Sequence, residues 1–172
     1  MWACGFLAEP VGFGGVHSLQ LTRHSRILAA VLLVAILPIE FGGYYLTGVV
    51  RGDQQVTEFQ LAFARAGHAH AGVLVTLALV GLVLADATRL KGLLGITARH
   101  GVPIAALLMS AGFFLSSADS GATGPNSMIV LVWIGGVSLA VGVVTLAYGL
   151  VAAPNPPPVA EPAAAHAGLD AR

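Results

Sequence analysis

The chain has one cysteine, Cys4, among 172 residues. That excludes an internal disulfide and a thiolate cluster for zinc or iron–sulfur ligation. Charge is equally scarce: Asp, Glu, Lys and Arg make up 9% of the sequence, against about 25% in an ordinary soluble domain. Hydrophobic residues make up 56%, so there is too little polar surface to clothe a water-soluble globule, and the composition points to a bilayer. Neither sign of charge is in excess. Eight basic and eight acidic residues give a formal net charge of zero, which leaves no electrostatic footprint for nucleic acid. Any metal or cofactor falls to histidine or carboxylate.

What is present in quantity is long apolar sequence. Four stretches, 27–50, 61–85, 93–115 and 128–152, are each long enough for a hydrocarbon core that needs about 20 helical residues. The expected fold is all-α, a bundle of four transmembrane helices. Residues 1–26 are Gly-rich, lack a basic segment ahead of Phe6, and do not read as a cleaved signal peptide; they are expected to form a poorly ordered tail. Residues 153–172 carry Pro154, Pro156, Pro157, Pro158 and Pro162 among alanines, a composition that resists helix and reads as a disordered, solvated tail in which His166 has no role.

The cations set an expected orientation. Arg23 and Arg26 precede the first span, and Arg89, Lys91 and Arg99 border the connection between the second and third, whereas the connection from the third to the fourth has no Lys or Arg. Arg51 and Arg65 near the first connection are accompanied by Asp53 and Glu58. The positive-inside bias puts both termini in the cytoplasm of a multi-pass protein of the inner (plasma) membrane. On the fourth span Gly135, Gly142 and Gly149 recur every seven residues, with Ser138 and Thr145 between them. Such a stripe lets helix backbones touch in lipid, either inside one protomer or at an oligomer seam.

Ionisable groups at membrane depth cost at least ~2.5 kcal/mol each on insertion scales, so each calls for a partner or a task. Glu40, Arg65, His68, His70 and His100 are the five that stand out. The first four fall toward the outer leaflet and His100, beside Arg99, toward the cytoplasmic one, so His70 and His100 are not expected to share a site. His100 is expected to meet headgroups or a helix-capping partner.

The run Ala64-Arg65-Ala66-Gly67-His68-Ala69-His70-Ala71-Gly72 is the richest in chemistry. At 100° per residue, two histidines two positions apart point about 200° apart, so His68 and His70 cannot chelate one ion and each looks into a different space. Ala66 and Gly67 in the turn before His70, and Ala64, Ala71 and Gly72 around His68, leave space for bulky planar material. Small residues beside an imidazole suit a haem face. Iron would take an axial histidine, and Arg65, about one turn earlier, is placed for a propionate. Interfacial imidazoles bonded to carbonyls in ordinary helix packing are the alternative.

The segment from Phe63 to Gly72 resembles the Trp-Ala-Arg-Ala-His-Ser-Gly entry to helix two of the membrane-bound styrene oxide isomerases. The chain also has their size and four-helix layout, with a looser echo in Gly124-Pro125-Asn126. The resemblance implies a homotrimer that binds haem b near subunit contacts, with a histidine of the motif on the iron and ferric iron acting as Lewis acid. Aligning Ala69-His70-Ala71-Gly72 on the family's Ala-His-Ser-Gly makes His70 the ligand; aligning on Arg65 makes it His68. The family's helix-two asparagine and helix-three tyrosine are missing. Thr76 and Phe113 stand near those positions, and Phe113 cannot donate a hydrogen bond. Polar replacements would come from Ser110, Tyr44, Tyr45 or Glu40; Tyr44 and Tyr45 also suit an interfacial aromatic belt.

The leading expectation is therefore a haem-b membrane protein whose iron, held by His70, keeps one position open for a small lipophilic, oxygen-bearing substrate. Thr76, Tyr44 and Ser110 are the candidate catalytic groups, and His70, His68, Arg65, Ala66 and Gly67 the candidate cofactor contacts. As an enzyme it would isomerise an epoxide to a carbonyl compound. The competing expectations are an electron-transfer or sensory cytochrome with both axial positions filled, and a cofactor-free scaffold or assembly subunit.

Overall fold

A computed structural model describes residues 21–152; the expectations for both tails beyond these limits, His166 included, lie outside the described residues. The described chain is all helical: α1 (Arg23–Arg51), α2 (Glu58–Ala87), α3 (Gly92–Ser116), a 3-10 turn (Ser127–Ile129) and α4 (Val130–Val151). All four long helices have the length and apolarity to cross a membrane, and the chain reads as a multi-pass membrane protein. At ~1.5 Å per residue even α4, the shortest at 22 residues, exceeds the ~30 Å of hydrocarbon.

Helices α1 and α2 run past the apolar stretches because polar caps extend them. Helix α1 begins at Arg23, inside the segment expected as tail, because the Thr22 side chain accepts from Ser25 N–H. Helix α2 begins at Glu58 on a capping box in which Thr57 Oγ1 accepts from Gln60 N–H and Gln60 Oε1 accepts from Thr57 N–H. Each satisfies amide groups that a helix start otherwise leaves open.

Helix α3 is the centre of the bundle, packed against α2 on one side and α4 on the other, while α1 leans chiefly on α2. Within the protomer Gly135 and Gly142 of the α4 stripe face α3, and Gly149 faces Leu90 and Thr88 of the connection that precedes α3. A Cβ on Gly101 would come within 2.5 Å of Gly142 Cα, and one on Gly135 within 2.5 Å of Met109. Ser138 Oγ donates across this seam to Gly101 O at 2.9 Å. The close approach removes any room for side chains and replaces it with backbone contact, the packing that associates helices in lipid.

At the end of the bundle where the described chain begins and ends, Asp86 ties three helices together. Its side chain, 5% exposed, accepts from Arg99 Nη2 at 2.9 Å and Nε at 3.1 Å and from Thr22 N–H at 2.8 Å. At the other end the caps of α2 hold the α3–α4 connection: Thr57 Oγ1 donates to Ala122 O, and Gln60 Nε2 donates to Ser117 O and Asp119 O. Asn126 continues the tie, with Nδ2 on Leu115 O and Oδ1 accepting from Met128 N–H at the turn into α4.

Candidate functional site

The capping box fixes where α2 starts, and three turns later the motif histidines emerge on opposite flanks. His70 Nδ1 lies 2.8 Å from Ala66 O. A carbonyl can only accept, so Nδ1 carries the proton and the Nε2 lone pair is presented outward. One face of the ring rests on Phe113 of α3, centroids 4.9 Å apart and planes tilted by 33°. Phe113 is held edge-on by Phe63, at 5.5 Å.

His68 turns toward α1 instead. Its ring occupies a slot cut by Gly42 and Gly43, where a Cβ on Gly43 would stand 3.1 Å from Cε1 and 3.3 Å from Nε2. The two imidazoles thus look into different spaces, as their spacing requires. Arg65 is exposed on the outer side of α2.

The small residues of the motif serve different ends. Gly67 is buried against α3, and a Cβ there would meet the Phe114 ring at 3.0 Å and Phe113 Cβ at 3.2 Å. The space it vacates is therefore filled by α3, because a glycine at this point lets two phenylalanines close on α2. On the flank of His70 the small positions are Ala66 and Ala62, one and two turns earlier. Helical side chains lean toward the N-terminal turn, so the imidazole of His70 lies over this alanine surface.

The candidate catalytic groups have three separate settings. Thr76 is exposed and its hydroxyl donates to Gly72 O at 2.9 Å; it lies six residues beyond His70, roughly 9 Å along α2 and 120° around it. Tyr44 is exposed on α1 beside Phe41. Ser110 lines a cleft against Ala71 and Val75 of α2. Phe113, reached by analogy as a residue unable to donate a hydrogen bond, is in direct contact with His70. Glu40 is exposed on α1.

His100 lies at the opposite end from His70. Its Nδ1 donates to Ile96 O at 3.0 Å, and its Nε2 is 3.0 Å from Nε2 of His24. With Nδ1 protonated, a neutral His100 accepts at Nε2 and His24 donates. The partner of His100 is a histidine rather than a headgroup or cap. Sequence reasoning missed this pair and also Asp86; the only linear signal for the latter was an acid at the end of one apolar run and Arg99 near the start of the next. Among the described residues no three of His, Cys, Asp and Glu converge as ligands for a bare metal ion.

These observations define a four-helix membrane bundle with an imidazole presented from its second helix. No protein-family model, curated protein or solved structure matches the chain.

Proposed function

We propose that the chain is a haem-b-binding membrane protein in which His70 is the axial ligand. The observation that carries this reading is Nε2 of His70, uncommitted among the described residues while Nδ1 is bonded to Ala66 O. A backbone carbonyl on the far nitrogen fixes the tautomer and orientation that a metal-bound imidazole needs. His100 has the same tether, but its Nε2 is already taken by His24; the free Nε2 is what separates His70 from His100, and the tether to Ala66 O is what separates it from His68, which has no bond on either ring nitrogen among the described residues.

The residues around His70 fit the group in kind. Phe113 limits rotation of the imidazole, and Ala62 and Ala66 leave a low surface beside it; Arg65, five residues earlier and about 140° around α2, would meet a propionate only through the reach of its long side chain. Haem iron bound with one position open would supply Lewis acidity toward an oxygen-bearing lipophilic molecule, such as an epoxide isomerised to a carbonyl compound. Within one protomer Thr76, Tyr44 and Ser110 have separate settings, so we assign none of them a step.

A second copy of the chain completes the reading. Glu40 and Arg65 are opposite charges exposed on helices with the reach to cross a membrane, and contact with a neighbouring protomer would remove them from lipid. The homotrimer implied by the styrene oxide isomerase resemblance is our working assembly.

Expression with ample haem, purification in detergent and an absorption spectrum test the proposal. A Soret band lost in His70→Ala and kept in His68→Ala is expected. A colourless protein that is folded overturns the haem reading, and the reverse pattern moves the ligand to His68. High-spin ferric features with a ligand-accessible iron fit the open position, whereas a six-coordinate low-spin spectrum marks a cytochrome.

A further inference from the structure

Hydroxyls inside membrane helices normally spend their proton on a nearby carbonyl, and here nearly all do. On α2–α4, Thr76, Thr97 and Thr145 donate to the carbonyl four residues back, Ser116 donates to Phe113 O and Ser138 donates across to Gly101 O. Ser110 is the exception. Its Oγ is buried and has no hydrogen-bond partner among the described residues, although the carbonyl of Ala106 stands one turn back, where the threonines find theirs.

Ser110 also lines the cleft between α1, α2 and α3, about 340 Å³ in volume, within the range of small-molecule sites. The other lining residues, among them Leu32, Ala71, Val75 and Ala106, are all apolar. Val31 and Leu107 at the rim are 60% and 70% exposed, so the cleft opens sideways into the space of acyl chains. An unpaired donor in such surroundings carries a desolvation cost that an acceptor would relieve. Water, which needs two to four polar partners, finds one here.

We propose that this cleft binds an apolar molecule carrying one hydrogen-bond-accepting oxygen, a ketone, ester or ether, with Ser110 as donor and the hydrocarbon body lying along α1. The site is lined by Ala71 and Val75 rather than by the flank of α2 that bears His70. It needs no haem, and its test reads no haem signal, so it stands or falls separately from the proposed function.

The test uses the full chain in lipid nanodiscs with benzophenone, isotope-labelled at its carbonyl carbon, as the probe. Irradiation inserts bound benzophenone into neighbouring C–H bonds, and adducts concentrated on Leu32, Val75 and Leu107 are expected. The labelled carbonyl stretch should move to lower frequency in the wild type, and Ser110→Ala should abolish that shift and weaken binding roughly two- to tenfold. Ala35→Leu, which fills the cleft from α1, should remove the adducts. Diphenylmethane, the same shape without the oxygen, should compete poorly.

Adducts spread evenly over the lipid-facing helices would overturn the proposal. So would a carbonyl stretch and affinity unchanged in Ser110→Ala, the result expected if the hydroxyl bonds to Ala106 O in the bilayer. Equal competition by diphenylmethane would show a cleft that takes hydrocarbon alone, and would likewise overturn it. Ser110→Ala removes one oxygen from a tolerant helical position, so it keeps the test decisive even if the larger Ala35→Leu substitution disturbs folding.

Discussion

His70 and His100 share a local geometry and differ in what lies beyond it. Each directs Nδ1 at a carbonyl one turn back on its own helix. At the end where the described chain begins and ends, Nε2 of His100 is spent on His24, next to an Asp86–Arg99–Thr22 cluster that joins α1, α2 and α3. Three turns into α2, Nε2 of His70 has no partner among the described residues, and its ring rests on Phe113, which Phe63 holds in turn. Polar side chains at the first end satisfy one another, which is the signature of a structural joint. At the second end a good ligand is left unspent, which is costly in lipid unless something takes it.

The sharpest way to break this contrast is His70→Ala, which should abolish the Soret band in haem-sufficient preparations, while His100→Ala should leave it intact; equal loss in both would erase the distinction. Next in size is Asp86→Asn. It removes the charge partner of Arg99, whose Nη1 keeps its bond to Gly95 O, and weakening these part-buried charged hydrogen bonds should cost about 2 kcal/mol, read as earlier unfolding in a denaturing-detergent titration with haem content per folded protein unchanged. His100→Ala should cost less, about 1 kcal/mol for the two exposed hydrogen bonds it removes, to His24 and to Ile96 O, in the same titration. Smallest is Phe113→Leu, which removes the ring beneath the imidazole; haem affinity should fall by about 0.5–1 kcal/mol, the worth of an aromatic contact, in a haem-transfer assay.

Much of this arrangement was legible in the sequence, though not evenly. Apolar run length alone located the four helices, because hydrocarbon thickness sets a minimum that few other segments meet. The ends moved outward where Thr22 and Thr57 cap, a short-range signal that hydropathy does not weigh. The divergence of His68 and His70 followed from helical pitch. What each small residue faces did not: Gly67 and Ala66 are neighbours in sequence, yet one admits Phe114 and the other carries the bond to His70. The Asp86 cluster was hidden for a related reason, since its members are separated by 13 and 64 positions and only the bundle brings them together. The glycines of α4 announced a close contact without naming the partner, which proved to be α3 of the same chain and the connection that precedes it.

Helix α1 buries three residues, Ser25, Leu32 and Val49, where α2 and α3 bury eight each. Its polar fastenings, Thr22 to Asp86 and His24 to His100, reach residues that the ribosome makes long after α1 itself has emerged. With so little of its surface buried by the rest of the chain, the first span owes its place in the bilayer chiefly to its own apolarity.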